Sequence, residues 1–260
     1  MSEPVILEVQ DGVAVVTMNR AERRNALSAD LYEGLVRTLE GLLDDRSVRS
    51  VVLTGGPHFC AGGDLADLET DGPESSPLGL RRRMALGQRI VRAIVQGRLP
   101  VVAAVEGGAF GAGFSIAAAC DFVVADAKTT FCAAFGRVGL MPDYGLAWTL
   151  PQRIGLGPAR EVMMLCEAIP GPQAHAIGIA DLLAGEGQVM AVAMERARRL
   201  AQASEGAISA TKALLGRGPV SLDVALSWEA DTQSLLIGSQ DFIEGVAAFR
   251  DRRAPRFRGH

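Results

Sequence analysis

The alternation of apolar and polar positions predicts that the chain begins with a β-hairpin and continues into a helix. VILEVQ (5–10) and VAVVTMN (13–19) are rich in β-branched residues and are joined at Asp11-Gly12, a pair that favours a tight turn between strands. Ser28 is of the residue type that caps helices. The leucines that follow it recur at helical spacing: Leu31, Leu35, Leu39 and Leu42.

Buried strands and helices then alternate before the chain becomes almost wholly helical. VRSVVLTG (48–55) and PVVAAVEG (100–107) are nearly continuous apolar runs, as in strands covered on both faces. FVVAD (122–126) and TTFC (129–132) predict shorter strands. Helices are predicted over 79–96, 111–121, 158–167, 187–204, 206–215 and 221–250.

This order predicts an α/β fold with a strand-and-helix core over residues 1–200 and an appended helical region over 201–260. No stretch is rich enough in Gly, Ser or Pro to separate two independent domains. The segment from Leu65 to Leu78 contains ETDGPESSP, which predicts a mobile loop, with action as a lid as one open role.

Composition and charge narrow the class of protein. Of the 260 residues, 48% are hydrophobic and 22% are charged, as in soluble globular enzymes. A net charge of −4 argues against a broad nucleic-acid-binding surface, which needs a basic face. The basic run Arg81-Arg82-Arg83 is short and of the kind that usually faces solvent. The N-terminus lacks a signal-peptide pattern and no apolar run reaches about 18 residues, so we expect a cytoplasmic protein that does not enter membranes.

The cysteines predict neither a metal site nor disulfides. Cys60, Cys120, Cys132 and Cys166 form no CxxC pair and no zinc spacing with the three histidines. Buried free thiols in a reducing compartment are the better interpretation.

Two glycine-rich stretches carry the candidate chemistry. HFCAGGDL (58–65) and EGGAFGAGFSIAAACD (106–121) each follow a predicted buried strand and lead into a helix. The first N–H groups of a helix lack partners and carry partial positive charge. Together the two stretches suggest a pair of backbone donors aimed at one oxygen that develops negative charge.

Other glycine and serine motifs do not fit. Gly108, Gly111 and Gly113 have the reverse of the dinucleotide spacing GxGxxG, and no GxxxxGK[ST] occurs. GFSIA (113–117) is one residue short of the GxSxG elbow of serine hydrolases, so Ser115 is a poor candidate nucleophile.

These stretches, with NRAERRNAL (19–27) and FGRVGLMPDYG (135–145), resemble the crotonase, or enoyl-CoA hydratase/isomerase, superfamily in order and spacing over nearly the whole chain. The resemblance implies a spiral of repeated ββα units with a C-terminal helical region, assembled as a homotrimer or a dimer of trimers. It also implies an acyl-CoA substrate, with coenzyme A as part of the substrate and no separate cofactor.

The resemblance also implies roles for individual residues. The backbone N–H groups of Gly63 and Ala112 would hold the thioester oxygen as it becomes an enolate. A further set would contact the CoA moiety or flank it: Arg24, Ala26, Leu27, Ala61, Asp64, Leu65 and Ala66. Asp64 is equally explained as a cap for a short helix.

The departures from the family pattern bear on the reaction. The hydratases of this family use two glutamates, and their positions hold Ser115 and Phe135 here. Neither residue titrates usefully near neutral pH, so efficient hydration is not expected. A single acid, Asp143, lies in VGLMPDYG (138–145), a motif similar to that of the 3,2-enoyl-CoA isomerases and of the phenylacetate-pathway ring-epoxide isomerases.

The leading hypothesis is therefore an isomerase in which Asp143 moves a proton from C2 to C4 of a 3-enoyl thioester. Phe135, Leu140 and Tyr144 would line or border the acyl pocket, although Tyr144 is also explained as a packing aromatic. Three alternatives remain at this point: Asp143 as a plain turn residue after Pro142, a slow hydratase in which Asp143 activates water, and a non-catalytic acyl-CoA-binding protein.

Overall fold

The structure is a computed structural model that describes residues 3–64, 66 and 76–259. Within these residues the chain forms two β-sheets and ten α-helices. The strands are β1 (Val5–Gln10), β2 (Val13–Met18), β3 (Ser50–Thr54), β4 (Val101–Val105), β5 (Gly108–Phe110), β6 (Phe122–Asp126), β7 (Thr130–Cys132), β8 (Ile169–Pro170) and β9 (Leu182–Ala184). The helices are α1 (Ala29–Asp44), α2 (Pro77–Gln96), α3 (Ala112–Ala119), α4 (Leu146–Ile154), α5 (Leu156–Leu165), α6 (Gly171–Ile177), α7 (Val189–Ala201), α8 (Glu205–Leu215), α9 (Leu222–Ile237) and α10 (Gln240–Asp251).

The predicted hairpin and first helix are confirmed. β1 and β2 pair antiparallel along their whole length. The Ser28 hydroxyl caps α1 by accepting a hydrogen bond from the Leu31 N–H at 3.4 Å. The leucines at helical spacing in α1 are buried, so the amphipathic pattern does mark the face that packs on the core.

The larger sheet lies between two layers of helices. Its strand order is β1-β2-β3-β4-β6-β9, and from β2 onward the neighbours are parallel. All residues of β3 and β4 are buried, as their continuous apolar runs predicted. Helix α7 covers one face, where Val189, Ala193 and Ala197 join the valines of four strands in one cluster. The main core lies on the other face.

A second, three-stranded sheet gives the fold its spiral. β7 pairs in parallel with β5 and antiparallel with β8. The chain passes from β4 to β5 and then into α3, and again from β6 to β7 and into a 3-10 helix over Ala134–Val138. The predicted spiral of ββα units is therefore confirmed.

Two aspartates close successive turns of the spiral in the same way. The Asp121 carboxylate accepts a hydrogen bond from the Val101 N–H at 2.7 Å, and the Asp121 N–H donates to the Val101 carbonyl at 2.9 Å. Asp181 repeats both bonds with Val123 at 2.7 and 2.8 Å. The start of each of the two strands is thus tied to the chain that follows α3 or α6.

Several later elements differ from the sequence prediction. α4, α6 and β9 were not predicted, and the helix expected over 221–250 is two helices. Gly238 ends α9, and the Ser239 hydroxyl caps α10 by accepting from the Phe242 N–H at 3.1 Å. The apolar period continues through this break, so periodicity alone did not reveal it.

Within the described ranges, no helix is long and apolar enough to cross a membrane. In the same ranges, no three His, Cys, Asp or Glu side chains gather as a group that could hold a metal ion. All four cysteines are free and buried, as the sequence predicted.

Candidate active site

A cavity of about 520 Å³ lies where the two glycine loops meet α1, α2 and the segment before α4. Its volume is in the range of small-molecule sites. Seven of the residues that sequence analysis singled out line it: Ala61, Gly63, Ala112, Phe135, Leu140, Asp143 and Tyr144. Most of the remaining wall is apolar, including Leu80, Met84, Val138 and Met141.

The first glycine loop turns the Gly63 N–H away from Leu27, its bridge partner. Gly63 forms an isolated parallel bridge with Leu27. The two bonds of this bridge run from the Leu27 N–H to the Gly62 carbonyl, at 2.8 Å, and from the Asp64 N–H to the Leu27 carbonyl, at 3.2 Å. Because the residues on either side of Gly63 make these bonds, its own N–H points to the opposite side.

The second glycine loop presents the N-terminus of α3. Ala112 is the first residue of this helix, so its N–H has no acceptor within the helix. No side chain caps the helix, and the Gly111 N–H before it is used by the Cys132 carbonyl at 2.9 Å. The Ala112 N–H is therefore available at the cavity wall.

The two loops are held together backbone to backbone. Cys60 and Ala109 form a parallel bridge, in which the Cys60 N–H donates to the Gly108 carbonyl at 3.1 Å and the Phe110 N–H donates to the Cys60 carbonyl at 3.0 Å. A Cβ at Gly113 would lie 2.5 Å from the Cys60 carbonyl oxygen. Glycine is needed there because the loops approach too closely for any side chain.

Asp143 places an unpartnered carboxylate in this cavity. The residue is half-buried, and its Oδ1 atom is buried with no hydrogen-bond partner among the described residues. Burial raises the pKa of Asp143 to about 7, because a charged carboxylate is poorly solvated in an apolar wall. A turn residue on the surface would show neither feature. Among the described lining residues Asp143 is the sole carboxylate.

Tyr144, the residue after Asp143, is hydrogen-bonded to Tyr32, a residue that the sequence analysis did not identify. Its hydroxyl lies 2.8 Å from that of Tyr32, and the two rings meet edge to face with centroids 5.9 Å apart. Both side chains are buried and line the cavity. Tyr32 follows Leu31 on the buried face of α1, and nothing in its local sequence distinguishes it from an ordinary core residue.

Arg83 corrects the interpretation of the basic run. Arg81 and Arg82 are exposed, as expected, but Arg83 is 8% exposed and lines the cavity. It donates to the Leu27 carbonyl at 3.4 Å, and its guanidinium lies 5.7 Å from the centre of the Tyr32 ring. The expectation that this run faces solvent is wrong for its third member.

Ser115 and Phe135 bring no acid or base to the cavity. Ser115 is fully buried inside α3, where its hydroxyl donates to the Gly111 carbonyl at 3.4 Å. Phe135 lines the cavity as an apolar ring. These are the two positions that hold glutamates in the hydratases of the family that the sequence resembles. In this chain they contribute no titratable group to the cavity.

Most of the residues expected to contact CoA lie beside the cavity rather than in its wall. Ala61 lines it, and the Ala61 N–H donates to the Arg24 carbonyl at 3.0 Å. Arg24 and Ala66 are exposed, Ala26 is half-buried and Leu27 is buried. Leu65 and most of the predicted 65–78 loop lie outside the described residues.

Asp64 holds its own loop in place. Its carboxylate pairs with Arg20 at 2.6 Å and accepts from the Ala66 N–H at 3.2 Å. Although burial raises the pKa of Asp64, the hydrogen bonds from Arg20 and the Ala66 N–H and the charges of Arg20 and Arg23 together lower it by more, so the net shift is downward. Asp64 is thus an ionised structural group, in contrast to Asp143.

Helix α2 leaves room for the Tyr144 ring at Gly87. A Cβ at this position would lie 1.9 Å from Cε1 of Tyr144. Gly87→Ala is expected to displace the ring and to lower the free energy of unfolding by about 1–3 kcal/mol, measured by chemical denaturation. Gly41→Ala is the matched control, because a Cβ there meets nothing within 4 Å and alanine favours the helix by up to about 1 kcal/mol. Equal responses at the two positions would contradict the packing argument.

Comparison with known proteins agrees with this geometry. The family model for enoyl-CoA hydratase/isomerase matches residues 8–260. The chain is 33% identical to 1,2-epoxyphenylacetyl-CoA isomerase of Escherichia coli over all of both chains. It is 30% identical to crotonyl-CoA hydratase of Syntrophomonas wolfei over 98% of both. A crystal structure of an enoyl-CoA hydratase from Polaromonas sp. JS666 superposes with a TM-score of 0.92 at 31% identity, covering 97% of this chain and 99% of that one.

The chain belongs to the enoyl-CoA hydratase/isomerase family. The names of its relatives include an isomerase and a hydratase, so the choice of reaction rests on the residues of this site.

Proposed function

We propose that the protein is an acyl-CoA isomerase that moves a double bond of an enoyl thioester from carbons 3 and 4 to carbons 2 and 3. The Asp143 carboxylate takes a proton from C2, and the electron pair of that C–H bond moves toward the thioester oxygen to form a dienolate. The protonated Asp143 then delivers the same proton to C4. The dienolate collapses, which restores the thioester carbonyl and leaves the conjugated double bond.

The observation that carries this proposal is the unpartnered Oδ1 of Asp143 in a cavity where the described lining residues supply no second carboxylate. Moving one proton between two carbons needs a single acid/base, whereas hydration needs one group to activate water and another to protonate C2. A pKa of about 7 suits both halves of the isomerisation, since the group must accept and release a proton at similar cost.

The N–H groups of Gly63 and Ala112 are the proposed oxyanion donors. They belong to two loops bridged at Cys60 and Ala109, so their positions are set before substrate binds. Fixed donors stabilise the charge that develops on the thioester oxygen without reorganising during the reaction.

The assembly proposed for this enzyme is a homotrimer or a dimer of trimers, formed through the region 201–260. Large apolar side chains on the C-terminal helices are exposed in the single chain: Leu222, Leu226, Leu235, Ile237, Ile243 and Phe249. Helix α9 has no buried residue. Exposed apolar surface on this scale is typical of a subunit interface.

A paired assay of the purified protein tests the reaction. One reaction supplies 3-hexenoyl-CoA and follows the ultraviolet absorbance of the conjugated 2-enoyl thioester. The other supplies 2-hexenoyl-CoA and follows its loss to the 3-hydroxyacyl product. We expect isomerisation to be faster than hydration by at least about 10²-fold, the contribution typical of one positioned acid/base. Brisk hydration would contradict the proposal and favour a hydratase in which Asp143 activates water.

The pH dependence of isomerisation follows from the pKa of Asp143. The free enzyme must hold Asp143 ionised to accept the C2 proton, and burial raises its pKa to about 7. We therefore expect kcat/KM to rise with pH up to about 7 and to level off above it. A profile that is already flat between pH 5 and 8 would show that the base titrates elsewhere.

A further inference from the structure

The tyrosine pair beside Asp143 has a hydrogen-bond donor to spare. Two hydroxyl groups carry two protons, and the single bond between Tyr32 and Tyr144 uses one of them. Among the described residues, neither hydroxyl makes another hydrogen bond. Both side chains are nearly inaccessible, at 1% and 4% exposure, so the second proton is withheld from bulk water.

The spare proton is a permanent feature at neutral pH. Burial raises the pKa of Tyr144 to about 12, and burial together with Tyr144 raises the pKa of Tyr32 well above its ordinary value. Both hydroxyls therefore stay protonated under physiological conditions, and the pair always offers one donor. These are the two tyrosines of the chain, and both hydroxyls meet at this cavity.

A buried donor without an acceptor is unfavourable. Leaving such a group unsatisfied is costly, and the apolar side chains of Leu80, Met84 and Val138 in the wall accept no hydrogen bond. The Asp143 carboxylate lines the same wall, but its Oδ1 atom has no hydrogen-bond partner. Two phenylalanines would fill the same volume without this cost. An acceptor atom brought by the substrate would satisfy the donor.

We propose that the Tyr32–Tyr144 pair binds an oxygen atom on the acyl group, so that the preferred substrates are oxygen-bearing enoyl thioesters rather than plain hydrocarbon chains. The class includes acyl groups with a hydroxyl, carbonyl or ring-ether oxygen. A site built around a hydrogen bond discriminates strongly against analogues that lack the partner, because its polar group is then left unpaired.

The position of this oxygen rests on the proposed function. Carbon 1 carries the thioester oxygen held at Gly63 and Ala112, while carbons 2 to 4 face Asp143. Carbons 2 to 4 carry the shifting double bond, so the oxygen lies at carbon 5 or beyond. Asp143 and Tyr144 line the same cavity, so the tyrosine pair meets the acyl chain in the cavity where Asp143 acts on those carbons.

Binding of unreactive thioesters tests the pair separately from the chemistry. Isothermal titration gives Kd for hexanoyl-CoA and for its 5- and 6-hydroxy derivatives, with the wild type and with the double variant Tyr32→Phe/Tyr144→Phe. The double variant is required because either single variant leaves one hydroxyl that still donates. We expect the wild type to bind at least one hydroxy derivative about tenfold or more tightly than hexanoyl-CoA, and the double variant to lose that preference.

Two results would overturn the inference: a wild type that binds hexanoyl-CoA as tightly as both derivatives, or a double variant that keeps the preference. If the pair acted through Asp143 instead, the double variant would shift the pH profile of turnover and leave the ratio of the Kd values for hexanoyl-CoA and its hydroxy derivatives unchanged. That result would also contradict the inference. Because saturated thioesters cannot isomerise, a failure of the isomerase assay leaves this measurement intact. The NMR signals of tyrosine labelled with ¹³C at Cζ give a second readout of the same titration. The chain has two tyrosines, so both signals come from this site.

Discussion

Replacing Asp143 by asparagine is expected to lower isomerase turnover by about 10²–10⁴-fold, the range for removal of a positioned acid/base. Asparagine has nearly the same shape but cannot accept the C2 proton. Affinity for a saturated acyl-CoA is expected to change little, because the carboxylate acts on the reacting carbons and not on the CoA moiety. Stopped-flow or steady-state kinetics with 3-hexenoyl-CoA, together with Kd for hexanoyl-CoA, separates the two effects.

The same variant is expected to be more stable than the wild type above pH 7. The Asp143 pKa is about 7 in the folded protein and about 4 in an unfolded chain, so the unfolded state releases its proton at lower pH. The wild type therefore loses stability as pH rises from about 4 to about 7, and the non-titrating asparagine does not. We expect a gain on the order of 2–4 kcal/mol at pH 8, measured by denaturant unfolding.

A variant that is inactive and yet more stable cannot owe its inactivity to misfolding. Glu186→Gln is a suitable control because Glu186 is an exposed carboxylate paired with Lys128 far along the chain from the cavity. It is expected to leave turnover unchanged and to show no gain in stability at pH 8. Unchanged turnover in Asp143→Asn would refute the assignment of the base.

Ala112→Pro is expected to lower kcat by about 10²–10³-fold, the cost of removing one oxyanion donor. Proline has no backbone N–H, so the substitution removes the proposed donor. Proline is also favoured at the first position of a helix, where that N–H has no intrahelical partner. Ala112 occupies this position in α3, so the helix is expected to survive.

The residue before the new proline is compatible with it. Gly111 has φ 49° and ψ −121°, and without a Cβ it avoids much of the clash that restricts other residues before proline. Ala112→Gly serves as the control, since it keeps the N–H and adds no atoms. The melting temperature of each variant shows whether it folds, and its kcat shows the effect on turnover. A proline variant that folds and has the same kcat as the glycine variant would exclude the Ala112 N–H as a donor.

The sequence allowed prediction of those parts of the fold and site that depend on local patterns. β3 and β4 are continuous apolar runs, and a glycine loop follows each of them. Asp143 stood out because a charged residue interrupts an apolar segment. Such features can be recognised in the sequence alone, because the period of apolar residues, the residue types of turns and an isolated charge do not depend on the tertiary fold.

The parts that were missed depend on packing between distant segments. Tyr32 meets Tyr144 across 112 positions of sequence, and Arg83 turns inward while Arg81 and Arg82 face solvent. Helix α4 contains Pro151 and was not predicted. Tertiary contacts decide these cases, and one sequence without its fold does not reveal them.

The bridge between Cys60 and Ala109 limits which changes in sequence this site can accept during evolution. Each proposed donor lies three residues after one of the two bridged residues. Gly63 follows Cys60, and Ala112 follows Ala109. The working groups are main-chain atoms, so many side-chain replacements in these two short spans would leave them in place. A single inserted or deleted residue would instead turn an N–H away from the cavity. In these two spans, lineages are therefore expected to differ by substitution and to keep their length.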